Sequence, residues 1–125
     1  MNTHQEIDNA LCGDVVELRQ GFARISLATQ GRMRVDETGL VHGGFIFGLA
    51  DYAAMLAVNH PNVVLGAAEV KFLKPVKAGD VAVAEATVES SQGKKSLVEV
   101  VVTVADTDVF KGVFTCFILD THVLK

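Results

Sequence analysis

Residues 41–58 read VHGGFIFGLADYAAMLAV, and this stretch decides the fold because apolar side chains occupy every side of its helical projection. Such a helix must be buried all round rather than lie on a surface. Pro61 follows and marks its end. The pattern predicts a buried central helix over residues 43–59. It is shorter than the roughly 20 apolar residues of a membrane span and contains Asp51, so membrane insertion is not expected.

Strand-like runs on both sides of this helix can cover it. The predicted strands are 14–19, 22–28 and 32–35 before the helix, and 63–74, 81–89, 95–105 and 109–119 after it. Their short connections imply antiparallel pairing. Val98, Val100, Val102 and Val104 share one face of their run, which indicates a sheet with one core face. We therefore predict an α+β fold in which an antiparallel sheet wraps around the long central helix.

The composition indicates one domain over residues 1–125, since half of the residues are apolar and the length is typical of a single domain. A short N-terminal helix is predicted over residues 3–11, with Asn2 or Thr3 as its cap and Gly13 past its end. The first residues, MNTHQEIDNALCG, lack the features of a secretory signal or transit peptide, so a cytoplasmic protein is expected.

The net charge argues against nucleic acid as a partner, and the cysteines argue against a disulfide framework or a metal site. A net charge of −4 disfavours broad attraction to nucleic acid, which normally shows as a basic face. Cys12 and Cys116 lie far apart with no histidine nearby in sequence, so we interpret them as reduced packing residues. Neither a disulfide framework nor a metal site is indicated.

Asp51 is the only fully charged residue between Gly44 and Asn59. A carboxylate there is costly to bury unless it is paired, hydrogen-bonded or protonated. It either reaches solvent at a groove or serves as a general base or nucleophile. Just before the helix, Gly43 and Gly44 leave free backbone N–H groups, which suit the oxyanion formed when a thioester carbonyl is attacked.

The spacing of these groups predicts a shared site. Gly44 and Asp51 are seven residues apart, which is about 10 Å along a helix axis. One subunit cannot easily place both around one carbonyl, whereas a twofold neighbour can bring its own Asp51 to this helix start. His42 either orients the loop and substrate or is hydrogen-bonded to backbone.

The segment from His42 to Asp51, HGGFIFGLAD, resembles the motif and helix acid of hotdog thioesterases of the phenylacetyl-coenzyme A type. The likeness continues through FLKP at 72–75, AGD at 78–80 and QGKK at 92–95, and covers about residues 35–119. It implies hydrolysis of an acyl-coenzyme A thioester without a metal or cofactor. It also implies a homodimer with a continuous sheet, often doubled to a tetramer, in which Gly44 N–H polarises the carbonyl and the partner's Asp51 activates water or attacks directly.

Two positions depart from the resemblance. Related enzymes often carry an amide six residues before the histidine, where this chain has Asp36, interpreted either as a turn residue or as a substrate contact. They also supply a hydroxyl from the strand after the helix, where this chain has LGAAE at 65–69. Glu69 shares a strand face with Lys71 and lines either the cleft or an interface. For the coenzyme A phosphates, the candidates are Lys74, Lys94 and Lys95, with ordinary solvated lysines as the alternative.

Three functions are compatible with these residues. The leading hypothesis is hydrolysis of an acyl-coenzyme A thioester. The second is an acyl-thioester binding or sensing module without turnover. The third, hydration of an enoyl thioester, would need a histidine beside Asp51, whereas His42 precedes the helix.

Overall fold

A computed structural model describes all 125 residues as one six-stranded antiparallel sheet packed against one long helix. The elements are α1 (Asn9–Cys12), β1 (Asp14–Arg19), β2 (Phe22–Ala28), α2 (Gly43–Val58), β3 (Val63–Phe72), β4 (Val81–Gln92), β5 (Lys95–Val104) and β6 (Thr107–Ile118). The strands are ordered β1-β2-β4-β5-β6-β3, so β1 and β3 form the edges. The predicted α+β architecture is confirmed.

The core lies between α2 and the inner face of the sheet. Val98, Val100 and Val102 of β5 are fully buried, as the alternation in the sequence predicts. The inward residues of β4 are alanines (Ala82, Ala84 and Ala86), so the helix can approach this strand closely. No helix in the chain is both long and apolar enough to cross a bilayer.

The central helix begins and ends close to the predicted residues. His42 is the N-cap residue, and the helix ends at Val58. Asn59 adopts the left-handed conformation with φ of 54°, and its N–H donates to Met55 O at 2.8 Å. Asn59 is therefore the C-cap, which is a position where asparagine tolerates a positive φ.

The predicted N-terminal helix is wrong for residues 3–8. Only Asn9–Cys12 is helical, with Asp8 as the N-cap accepting from Ala10 N–H at 3.0 Å. The preceding segment instead lies against the end of α2, where Asn2 N–H donates to Asn59 Oδ1 at 2.7 Å. Tertiary hydrogen bonds replace those that a helix would have made.

The predicted strand over residues 32–35 is also wrong. Gly31–Met33 forms a short 3-10 helix, and only Arg34 makes an isolated bridge, to Val41. Two turns are shorter than predicted, because β4 continues through a bulge to Gln92 and β6 already begins at Thr107.

Gly13 is required where α1 meets β1, and this requirement is testable. Its φ is +108°, and a Cβ there would lie 2.7 Å from Ile25 Cγ2 and 3.2 Å from Leu49 Cδ1. Gly79 has a similar φ of +102° with no atom within 4 Å of its Cβ position. Gly13→Ala should therefore lower the free energy of unfolding by roughly 1–3 kcal/mol more than Gly79→Ala, since both add strain but only the first overpacks the core. Urea denaturation of both variants measures the difference, and equal losses would contradict the packing argument.

Candidate active site at the start of the central helix

The start of α2 has one unused backbone donor. The His42 side chain caps the helix, because its Nδ1 accepts from Gly44 N–H at 2.8 Å. Phe45 N–H donates to His42 O at 3.1 Å. Gly43 N–H has no acceptor within the chain. The free donor is therefore Gly43 N–H rather than the predicted Gly44 N–H, and the backbone-bonded interpretation of His42 is the one that the structure shows.

Asp51 lies partly buried two turns further along the helix. Its Oδ1 is sealed from solvent and has no hydrogen-bond partner. No basic side chain forms an ion pair with it. Burial raises the pKa of Asp51 to about 6. A carboxyl group in this state is costly to ionise and is poised to exchange a proton near neutral pH.

Both cysteines respond to the charge of Asp51. The pKa of the Cys116 thiol is raised to about 12, first by burial and then by Asp51. The pKa of Cys12 is raised by burial and by the charges of Asp8 and Asp51. These thiols stay protonated, so neither acts as a thiolate beside the carboxylate.

The helix face between the donor and the acid is open. Gly48 and Asp51 follow Gly44 by four and seven residues and so share its face. A Cβ at Gly48 would meet no atom within 4 Å. Phe47 flanks this face and packs on Phe114, with ring centroids 5.4 Å apart. A ligand or another helix can therefore reach Gly48 and the exposed part of the half-buried Asp51.

A cavity of about 350 Å³ lies beside the helix start. Its lining includes Gly43 and Ile46 of α2, Phe72 at the end of β3, and Lys74 just beyond. The Phe72 ring approaches Gly43 closely, because a Cβ on Gly43 would lie 3.0 Å from Phe72 Cε1. Sequence reasoning missed Phe72 as a site residue, since only the fold brings the end of β3 to the start of α2.

The structure separates the three lysines predicted to bind phosphate. Lys74 lines the cavity at Gly43. Lys94 forms an ion pair with Asp120 at 2.6 Å, and its carbonyl accepts from Ile118 N–H at the far end of β6. Lys95 pairs with Phe117 at that same end. Within one subunit, Lys94 and Lys95 therefore lie at the opposite end of the sheet from the cavity, and only Lys74 lies beside it.

Asp36 and Glu69 are also not at the helix start. The Asp36 carboxylate accepts from Thr38 N–H at 2.9 Å and from Thr38 Oγ1 at 2.6 Å, and these bonds lower its pKa. The turn interpretation of Asp36 is the one that the structure shows. Glu69 pairs with the exposed Val113, so its side chain lies on the sheet face opposite α2. Glu69 therefore does not face the central helix of its own subunit, and a place at an interface or in a cleft formed with another subunit stays a prediction.

The inner face of β3 carries no hydroxyl near the helix. Ala68 pairs with the buried Phe114 and therefore shares the inward side of the sheet, and no residue of β3 carries a hydroxyl group. Nowhere in the chain do three His, Cys, Asp or Glu side chains gather in a way that could hold a metal ion.

Comparison with known proteins gives a family and two functionally different relatives. The family profile described as the thioesterase superfamily matches residues 38–111. The chain is 51% identical over 121 residues to methylthioribose-1-phosphate isomerase of Aquifex aeolicus, covering 96% of this chain and 26% of that protein. It is 34% identical over 115 residues to the transcription factor FapR of Thermoanaerobacter sp., covering 90% of this chain and 57% of FapR. The chain thus spans about a quarter and just over half of these relatives.

Solved structures share the fold over nearly the whole chain. An uncharacterized protein of Pyrococcus horikoshii is 52% identical with a TM-score of 0.98, covering 99% of this chain and 95% of that one. The PaaI protein of the phenylacetic acid degradation operon of E. coli is 26% identical with a TM-score of 0.80, covering 87% and 85%. A hypothetical thioesterase of Streptococcus pneumoniae, solved with coenzyme A, shares the fold at 20% identity and a TM-score of 0.78, covering 87% of each chain. The predicted hotdog fold and the predicted resemblance are confirmed.

The raised pKa of Asp51 predicts a pH-dependent effect on stability. Asp51 takes up a proton on folding between its ordinary pKa of 3.8 and the folded value of about 6, so its ionisation destabilises the fold as the pH rises through this window. Asp51→Asn removes that cost and should raise the free energy of unfolding by on the order of 1–3 kcal/mol at pH 8. The gain should shrink towards pH 4. Urea denaturation at both pH values measures it, and a gain that does not change with pH would contradict the assigned cause.

Proposed function

The chain belongs to the thioesterase superfamily, and on that premise we propose that it hydrolyses an acyl-coenzyme A thioester to a free acid and coenzyme A. One observation carries the proposal. A free backbone donor, Gly43 N–H, and a buried unpaired carboxyl group, Asp51, lie on the same helix with an apolar cavity beside the donor. The coenzyme A in the pneumococcal neighbour and the PaaI likeness support this choice of substrate.

The proposed chemistry uses these two groups. Gly43 N–H, at the positive end of the helix dipole, donates to the thioester carbonyl oxygen and stabilises the charge that develops on it. Asp51 accepts a proton from water as the water adds to the carbonyl carbon, or its carboxylate attacks that carbon first and forms a mixed anhydride, which water hydrolyses after the thiol has left. The C–S bond then breaks, and the departing thiolate takes up a proton. A pKa of about 6 keeps Asp51 mostly ionised at neutral pH while leaving it basic.

A second subunit completes the proposed site. Gly43 and Asp51 are eight residues apart, which is about 12 Å along the axis, so a single carbonyl does not reach both in one chain. A twofold neighbour with an antiparallel α2 would place each Asp51 near the other subunit's helix start. The two helices would then meet near Phe47 and Gly48, where Gly48 leaves open space. The proposed unit is therefore a homodimer.

The edge strand β3 favours such a dimer. Gly66, Ala67 and Ala68 at its middle are exposed and uncharged. This stretch carries no charged side chain, while Glu69 and Lys71 follow it, so the middle of the edge is an available partner for another strand. Antiparallel pairing of β3 with its copy would extend the sheet across the dimer. Association of two such dimers into a tetramer remains a prediction.

A binding or sensing module without turnover is the second candidate. The likeness to the transcription factor FapR and the inward Ala68 in place of a hydroxyl favour it. Enoyl hydration has less support, because His42 caps the helix start and does not accompany Asp51.

The first test removes each group separately. Asp51→Asn should reduce the release of free thiol from a panel of acyl-coenzyme A thioesters by roughly 10²–10⁴-fold, as is usual for loss of a general base. Gly43→Pro removes the donor and adds ring atoms beside Phe72, but it keeps the helix start, because proline is favoured at the first helical position and His42 is already extended. Its expected loss is roughly 10²–10³-fold.

Gly43→Ala is the matched control for the donor. It adds the same Cβ against Phe72 but keeps the N–H, so most of the activity should persist. Undiminished turnover by Asp51→Asn would contradict the role of Asp51. Tight binding of the thioesters without any thiol release by the unmodified protein would favour the binding module.

Mixing the two inactive variants tests whether the site is shared. In a mixed dimer, the Asp51→Asn subunit supplies Gly43 and the Gly43→Pro subunit supplies Asp51, so one intact site re-forms. Random pairing should restore about a quarter of the wild-type activity, since half of the dimers are mixed and each holds one intact site of two. Co-expression with two affinity tags followed by the thiol assay measures this. No recovery in purified mixed dimers would place the whole site in one chain.

A further inference from the structure

Three charged side chains on the outer face of the sheet have no partner within the chain. Glu69 and Lys71 lie on the edge strand β3, and Lys111 lies directly opposite Lys71 on β6. All three are exposed, and none of them forms an ion pair. Together with Gly112 and Val113 they line a depression of about 320 Å³. Like charges that face each other on neighbouring strands repel, so the two lysines lack a counter-charge.

The free edge of β3 can receive that counter-charge from a second copy of the chain. β3 pairs only with β6, so one of its sides is open. In antiparallel pairing about a twofold axis, two residues face each other when they lie equally far from the residue on the axis, in opposite directions. An axis at Val70 therefore places Glu69 opposite the partner's Lys71, and Lys71 opposite the partner's Glu69. Facing residues have Cβ atoms about 4.5–5.5 Å apart, which allows ion pairs to form.

The neighbouring registers are electrostatically worse. An axis at Glu69 would place two carboxylates opposite each other. An axis at Lys71 would gather four lysines, because Lys111 of each subunit lies beside the pair. An axis at Ala68 would place Glu69 opposite an alanine of the partner and form no ion pair. Since opposite charges stabilise facing positions and like charges destabilise them, charge favours the axis at Val70.

The geometry of the helix favours the same axis. Gly43 lies beside Phe72 at the end of β3, and α2 ends just before β3 begins, so the helix and the strand run antiparallel. Asp51 is about 12 Å from Gly43 along the helix, which equals roughly three to four strand residues, so it is level with Ala68. With the axis at Val70, Phe72 faces the partner's Ala68. The partner's Asp51 is then level with Gly43, as the shared site requires.

We propose that Glu69 and Lys71 select the register of the dimer by forming two ion pairs about a twofold axis at Val70, which holds each Asp51 at the other subunit's helix start. The inference rests on the homodimer of the proposed function. A second copy of this chain occupies the edge, and its Glu69 supplies the carboxylate that the lysine pair lacks. Neither residue touches the reacting atoms, so both are positioning residues.

Charge reversal tests the ion pairs. Glu69→Lys and Lys71→Glu each turn both attractive pairs into repulsive ones and should weaken homodimerisation roughly tenfold to a hundredfold. Co-expression of the two variants with different affinity tags should yield mixed dimers well above the roughly one half that random pairing gives, because mixing restores two attractive pairs. A chain with both substitutions should dimerise like the unmodified one. Glu89→Lys mixed with Arg32→Glu is the matched control and should pair at random, since both residues are exposed and neither lies on β3 or β6.

Disulfide crosslinking measures the register directly. With the axis at Val70, a cysteine in Val70→Cys faces its own copy, so mild oxidation should give a covalent dimer, since disulfides join Cα atoms up to about 7 Å apart. Ala68→Cys is the matched control. Its cysteine and the partner's copy would be offset by about 13 Å along the strands and should not crosslink. The unmodified chain controls for Cys12 and Cys116.

Thiol release measured on the same dimers separates this inference from the proposed hydrolysis. Preferential mixed pairing and a crosslink at position 70 without thiol release would support the register and reject hydrolysis. Thiol release by dimers that crosslink through Ala68→Cys instead, or that pair at random after charge reversal, would overturn the register and leave hydrolysis intact. A chain that is monomeric in solution would overturn both the register and the shared site.

Discussion

The whole structure depends on the burial of α2, a helix that is apolar on nearly every side. The inner face of the sheet covers one side, where Leu49, Ala50 and Ala53 are fully buried. The N-terminal segment covers another side, where Tyr52 packs beneath Met1 and His4. Between these covers Gly44 is exposed and Gly48 and Asp51 are half-buried, so these residues lie on the least covered side of the helix. The candidate site thus lies on the side of the helix that the sheet and the N-terminal segment cover least.

Burial of the helix also determines the chemistry at its two candidate functional groups. Desolvation raises the pKa of Asp51 without any charged partner, so the fold itself makes this carboxyl group a better base. At the helix start, His42 satisfies one exposed N–H and leaves Gly43 N–H as the free donor. The free N–H of Gly43 therefore follows from the way His42 caps the helix, and the raised pKa of Asp51 follows from the burial of the same helix.

The relatives show that one domain of this fold occurs in proteins with different tasks. An isomerase, a transcription factor and a phenylacetic acid operon protein all share it with this chain, in whole or in part. The fold therefore does not identify the reaction, and the argument for hydrolysis rests on the site. In the proposed function, Asp51 and Gly43 are the residues whose replacement would tell a catalyst from a binding module on the same scaffold.

The sequence by itself determined the central helix, the six strands of the sheet and the chemical candidates. Uniform apolarity fixed α2 to within one residue, the alternating valines fixed the inward face of β5, and the isolation of Asp51 identified the acid. Local periodicity is enough for these features because each depends on neighbours along the chain.

Only the tertiary structure decided where the candidates meet. A bulge at Gly66 shifts the pairing of β3 by one residue, and such a shift exchanges the faces of the side chains that follow, which include Glu69. Pairing of β6 with β3 sends Lys94 and Phe72 to opposite ends of the sheet, and side-chain capping by His42 makes Gly43 the free donor. Each outcome depends either on contacts between residues distant in sequence or on the orientation of a side chain. The periodicity of a local sequence pattern encodes neither of these two causes.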